Sequence, residues 1–181
     1  MNNPSGTVLL GVTGGIAAYK AADLASNLRQ RGLNVIVVMT ASARRFVTAL
    51  TFEYLTNNPV VTDLWEKSGG HSADHIAVSD AADVAVVAPA TANIIGKLAN
   101  GIADDALSTI IIAFRKPLIL APAMNEKMYE SPIVQQNLQR LRERGVGQVG
   151  PGKGWLACGA EGVGRMAEVP EIIDAVLEEL R

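Results

Sequence analysis

Cys158 is the one cysteine among 181 residues, so its thiol takes part in no internal disulfide and is left for packing or for chemistry. It lies in the run Gly154-Trp155-Leu156-Ala157-Cys158-Gly159-Ala160-Glu161-Gly162-Val163-Gly164-Arg165-Met166. Four glycines in those thirteen positions predict a flexible loop that could carry a thiol to and from a substrate. The competing reading is a cysteine buried as a small hydrophobe. His71 and His75 are four apart, the spacing of two metal ligands on one helix face. Gly69-Gly70 just ahead of them, the missing Glu of a His-Glu-x-x-His pattern and the lack of a cysteine cluster argue against a metal, and none is expected. His75, followed by Ile76, is placed to enter a crevice as an acid, a base or a positioning group, and His71 reads as a surface loop residue. Asn125, within Pro122-Ala123-Met124-Asn125-Glu126-Lys127-Met128, is a neutral amide suited to hold a carboxylate or, equally, to cap a helix.

A second group of residues suits an anion. Gly11-Val12-Thr13-Gly14-Gly15-Ile16 sits where an apolar run gives way to a helical pattern, so N–H groups and the helix dipole there can meet a phosphate. A nicotinamide dinucleotide would need an acid at the end of the second strand for its ribose, and this chain has Thr40-Ala41-Ser42 instead. Hydroxyls favour a phosphate, hence a mononucleotide over a dinucleotide; tight packing at the Gly-Gly turn is the plain alternative. In Pro89-Ala90-Thr91-Ala92-Asn93-Ile94, Thr91 can cap a helix and still face a ligand, and Asn93 can donate and accept toward a heterocycle.

The elements that must position these residues are legible as apolar runs. Val8–Val12, Val35–Met39, Val84–Ala88 and Leu118–Ala121 are continuously apolar, as strands covered on both faces are. Between the first two, Ala21, Leu24, Ala25 and Leu28 form a helical stripe over Ile16–Gln30, with Gly32 as its stop. Strand, helix and strand make a right-handed βαβ unit. Further helices are predicted over Thr48–Leu55, Thr91–Ala99, Asp105–Phe114, Ser131–Arg144 and Pro170–Leu180. The fold class is α/β, a doubly wound parallel sheet, with residues 1–181 as one domain. Lys67-Ser68-Gly69-Gly70 reads as flexible.

A net charge of -2 with 19% charged residues leaves no electrostatic footprint for nucleic acid or an anionic membrane, which favours a small-molecule substrate. No apolar run reaches the length of a membrane span, and a cytoplasmic protein is expected. Aromatics are 4% against 49% hydrophobic residues, so the core is to be built from Ala, Val, Ile and Leu.

Taken together, Gly14-Gly15-Ile16, Thr40-Ala41-Ser42, His75-Ile76 with Ala82-Asp83, Pro89–Ile94, Pro122–Asn125 with Met128, and the Cys158 run ending in Gly164-Arg165-Met166 resemble the homo-oligomeric flavin-dependent cysteine decarboxylases. Thr91, Ile94 and Tyr129 depart from that family's common Ser, Thr and Trp. The resemblance implies a Rossmann-like flavoprotein with FMN between neighbouring subunits of a homotrimer, often four trimers to a dodecamer. It implies that Gly14, Gly15, Ile16, Thr40, Ser42, Thr91, Ala92, Asn93, Ile94 and Ala123 hold FMN, and that Asn125, Ala157 and Met166 bind substrate. His75 would serve the oxidation and decarboxylation half, and Cys158 would supply a proton in the reductive half. The branch most resembled converts 4'-phosphopantothenoylcysteine to 4'-phosphopantetheine for coenzyme A synthesis, with a phosphopantothenate–cysteine ligase fused or separate as partner. Peptidyl-cysteine decarboxylases and catalytically silent flavin-binding regulatory subunits are the alternatives within the superfamily; Cys158 with Gly159 and the Gly162–Met166 tail weighs against the first, and His75, Asn125 and Cys158 present together weigh against the second.

Overall fold

A computed structural model describes residues 5–65, 75–155, 159 and 161–181, with the backbone of 67–68 and 71–72. In chain order it runs β1 (Thr7–Val12), α1 (Ala18–Gln30), β2 (Asn34–Met39), α2 (Ala49–Thr56), β3 (Lys67–Ser68), β4 (His71–Ser72), α3 (His75–Ala81) and β5 (Val84–Ala90). There follow α4 (Ala92–Asn100), α5 (Ala106–Ala113), β6 (Leu118–Pro122), α6 (Glu126–Tyr129), α7 (Pro132–Glu143), β7 (Gly147–Gln148), β8 (Gly152–Trp155), β9 (Glu161–Arg165) and α8 (Val169–Glu179).

Five strands form one parallel sheet in the order β2-β1-β5-β6-β7. The order reverses at β1, so the loops leaving β1 and β5 at their carboxyl ends diverge and open a crevice. All seven residues of β5 are buried, and alternate residues serve opposite faces. Val8, Leu10 and Val12 join a core with Ala21, Leu24 and Leu28 of α1 and Ile172 of α8. Leu9, Ala85 and Val87 face Ile95 of α4 and Leu107 and Ile110 of α5 on the other side. The sheet is therefore covered on both faces, as its uninterrupted apolar runs require.

The predicted helices appear with ends moved by one or two residues. α1 begins at Ala18 rather than Ile16, because Gly14–Ala17 are spent on the turn that leaves β1. Two expectations need correction. The glycine-rich segment is not loop throughout: β8 and β9 pair antiparallel from Gly152↔Arg165 to Trp155↔Glu161, a two-stranded ribbon. His71, read as a surface loop residue, lies in β4 and pairs with Ser68; Gly69 and Gly70, of the stretch read as flexible, lie outside the described residues.

Candidate active site

A cavity of about 980 Å³ lies at the carboxyl ends of β1, β2, β5 and β6. Its walls are stitched together loop by loop. Thr13, buried at the end of β1, donates from Oγ1 to the Pro89 carbonyl at 2.6 Å, and the same oxygen accepts the Thr91 N–H at 3.3 Å. The turn after β1 is thus tied to the end of β5 at the point where strand order reverses. Gly14 lies against Ser42 so closely that a Cβ at position 14 would overlap the Ser42 Cβ, which seats the turn after β1 on the turn after β2. Thr40 Oγ1 accepts the Ala43 N–H at 3.2 Å, and a hydroxyl that accepts on one side still donates on another.

Thr91 is the N-cap of α4 but makes no side-chain cap, since its hydroxyl lies 3.3 Å from that of Thr13. The first N–H groups of α4 have no intrahelical acceptor and open toward the cavity, the arrangement that meets anions. Across from them, the Ala123 N–H bonds the Ala90 carbonyl at 3.0 Å and carries the loop after β6 back over the cavity. Asn125 caps α6: its Oδ1 accepts the Lys127 N–H at 3.0 Å, which fixes the amide's acceptor and donor ends. Capping and a ligand role, alternatives in the sequence, are therefore compatible at this residue.

The charges at the cavity are paired. Lys97 Nζ contacts Asp104 at 2.6 Å and Asp105 at 2.7 Å; Lys20 and Arg165 share Glu168 at 3.0 and 2.6 Å. Burial works against the Lys97 ammonium, yet hydrogen bonds and charge from Asp104 and Asp105 outweigh it and hold its pKa above the usual lysine value. Burial likewise opposes the Asp105 carboxylate, and Lys97 together with Ser108 still keeps its pKa below the ordinary range. Lys20 hydrogen-bonds Glu168 and lowers that carboxyl's pKa in the same way.

Gly14, Gly15, Ile16, Thr40, Ser42, Thr91, Ala92, Asn93, Ile94 and Ala123 all line this one cavity, and so do Asn125 and Met166. His75 does not: it opens α3, half-buried, on a helix that packs against α5, so a single chain does not bring it to the crevice. Ala157 and Cys158 lie outside the described residues. Tyr19, Lys20, Lys97, Asp105 and Trp155 also line the cavity and were not anticipated. One of them was within reach of helical spacing: Lys97 stands four residues after Asn93 in α4.

A flavin that carries a phosphate suits these walls. Ile16, Ala92, Ile94 and Ala123 offer an apolar surface to a ring, while the Gly14–Gly15 turn, the Thr40 and Ser42 hydroxyls and the start of α4 offer donors to a phosphate. Known proteins resemble this chain over most of its length. The bifunctional coenzyme A biosynthesis protein CoaBC of Bacillus subtilis is 50% identical over 166 residues, 92% of this chain and 41% of that protein. This chain thus spans about two fifths of that relative's length. A probable phosphopantothenoylcysteine decarboxylase of Streptococcus mutans is 41% identical over 175 residues, covering 96% of this chain and 98% of that one. Among solved structures, a PPC decarboxylase variant complexed with pantothenoylaminoethenethiol superposes with a TM-score of 0.85 at 34% identity, over 96% of this chain and 97% of the other. The family model described as Flavoprotein matches residues 1–181 from end to end, and the chain belongs to that family.

Proposed function

We propose that this chain is an FMN-dependent carboxy-lyase that converts 4'-phosphopantothenoylcysteine to 4'-phosphopantetheine in coenzyme A biosynthesis. The observation that carries the reading is that one cavity joins the anion-binding turns and the apolar ring wall to Asn125 and to the ends of the β8–β9 ribbon. The relatives that share this chain's length and fold are named for that chemistry. Hydroxyls in place of an acid after β2 favour FMN over an adenine dinucleotide.

Removing carbon dioxide from a cysteine amide leaves a carbanion with nothing to stabilise it, so the thiol carbon must first become an electron sink. Bound FMN supplies the two-electron oxidant for the thiol and the reductant once carbon dioxide has left. The chain's own residues do the rest. Asn125 holds the substrate carboxylate through a neutral amide; Arg or Lys would stabilise that ground-state charge more strongly, and its loss would then cost more. His75 serves as acid, base or positioning group in the oxidation and decarboxylation half. Cys158 gives a proton to the enethiolate carbon in the reductive half, and Ala157 and Met166 contact the substrate. The segment that includes Cys158 excludes water from the reactive thiocarbonyl.

We read the working unit as a homotrimer with FMN between subunits, four trimers making a dodecamer, as the resemblance implies; in it His75, which does not line its own chain's cavity, would reach the cavity of a neighbour. A phosphopantothenate–cysteine ligase, fused or separate, supplies the substrate, and the reaction belongs to the cytoplasm. Among the described residues no helix is long and apolar enough to cross a membrane.

The test is to mix the purified protein, checked for a yellow flavin spectrum, with phosphopantothenoylcysteine and follow the products by mass spectrometry. Phosphopantetheine is expected. Bound flavin without turnover would overturn the reading in favour of a peptide substrate or a regulatory role, and a colourless protein that cannot take up FMN would remove its basis.

A further inference from the structure

Glu126 stands behind the wall of the cavity. It is the first residue of α6, half-buried, and does not line the cavity. Its carboxylate crosses to β9, where Oε1 accepts the Val163 N–H at 2.9 Å. It occupies the space that a side chain on Gly162 would need, since a Cβ there would lie 2.6 Å from both its Cδ and its Oε1. Two residues on, the Gly164 carbonyl accepts the Met124 N–H at 2.9 Å. Gly164 has φ +136°, and a Cβ at that position would strike the Met124 carbonyl oxygen. Two bare positions let β9 lie flush on Met124–Glu126, and the carboxylate fastens it there.

The ribbon depends on such a fastening. Two strands alone are marginally stable in water. β8 and β9 read Gly-Lys-Gly-Trp and Glu-Gly-Val-Gly-Arg, so Trp155 and Val163 are their only large apolar side chains. A hydrogen bond from a backbone amide to a carboxylate is among the strong ones. The same ribbon and the residue after it bring Trp155, Arg165 and Met166 to the cavity, and Asn125 precedes Glu126 in the chain. We propose that Glu126 is a positioning residue for substrate binding: its carboxylate pins β9 and sets where Trp155, Arg165 and Met166 stand relative to Asn125. The inference rests on reading the cavity as the decarboxylase site.

The experiment compares flavin-loaded wild type, Glu126→Ala, Glu126→Asp and Glu126→Gln by amide hydrogen exchange over 161–166 and by steady-state turnover of phosphopantothenoylcysteine. In Glu126→Ala the β9 amides should exchange about tenfold faster and KM should rise about tenfold, with kcat changed less and flavin content unchanged. Glu126→Asp keeps the acid at the start of α6 but is one methylene too short to reach Val163, and should behave like Glu126→Ala even where that variant folds poorly. Glu126→Gln keeps an acceptor for the Val163 N–H and should recover both readouts toward wild type. Wild-type exchange and KM in the alanine and aspartate variants, a glutamine variant as impaired as alanine, or loss of flavin with the carboxylate would each overturn the proposal. Failure of the wild type itself to turn over the substrate would instead sink the functional reading, and the exchange comparison would still judge the clamp.

Discussion

Asn125 carries two duties that a single substitution can separate. Its Oδ1 caps α6 on the Lys127 N–H, and its amide faces the cavity as the proposed carboxylate holder. Asp caps helices as well as Asn does, so Asn125→Asp should keep the fold and the flavin, with a melting temperature within a few degrees of wild type. It replaces a donor with a second negative charge beside the substrate carboxylate, and carbon dioxide release should fall by about a hundredfold or more. A variant that melts normally and still decarboxylates would take Asn125 out of the reaction. Cys158 is tested at the other end of the cycle: Cys158→Ser should release carbon dioxide at a near-normal rate while the unsaturated thiol accumulates in place of phosphopantetheine, and a normal product would remove the cysteine from the reductive half. The cavity-lining residues were legible in the sequence because the loops of an open α/β sheet gather wherever an apolar strand ends. Glu126 was not legible, since nothing in its local sequence says that Val163, 37 residues away, needs its carboxylate.

At the scale of elements, the start of α5 joins the cavity to the stability of the fold. Asp105 is its N-cap in a capping box with Ser108: its Oδ1 accepts the Ser108 N–H at 2.8 Å, and Oδ2 meets Lys97 of α4 at 2.7 Å. Its pKa is lower folded than unfolded, against the pull of burial, because Lys97 and Ser108 favour the charged form. That contribution is therefore complete above the unfolded carboxyl value of about 4 and is lost as pH falls through the lower folded value. Asp105→Asn keeps an acceptor for the cap and removes the charge. It should melt about 3–5 °C below wild type at pH 7, and the gap should close as the pH is taken down through the lowered folded value. Melting curves across that range check it, and a gap that persists unchanged in acid would assign the effect to packing. The contrast between elements is itself instructive. The sheet strands could be read because burial on both faces leaves only apolar residues; β8 and β9 could not, because glycines at alternate positions erase the period of two and β9 is held from outside the ribbon by Glu126 and Met124.

For the molecule as a whole, the cavity of one chain does not include His75. Ile16, Tyr19, Met128 and Trp155 line the cavity yet are 49–67% exposed, while His75 sits on α3 away from it. Periodicity within one chain does not bear on the proposed oligomer, because it reports which face of an element is covered and not which copy would supply a catalytic group. If a neighbouring subunit supplies His75, two inactive variants should complement each other. His75→Asn and Asn125→Asp are each expected to lose carbon dioxide release while keeping flavin. Co-expressed under different tags and purified through both, they form trimers holding two copies of one variant and one of the other. Around such a ring, one site pairs an intact Asn125 with an intact His75 from the next subunit, so about a third of wild-type activity should return. If each chain instead folded His75 into its own cavity, every site would lack one of the two groups, and no mixture of the variants would restore activity. Restored activity that disappears when the trimers are dissociated, and returns when they reassemble, would place the two groups on different chains and make the oligomer part of the active site.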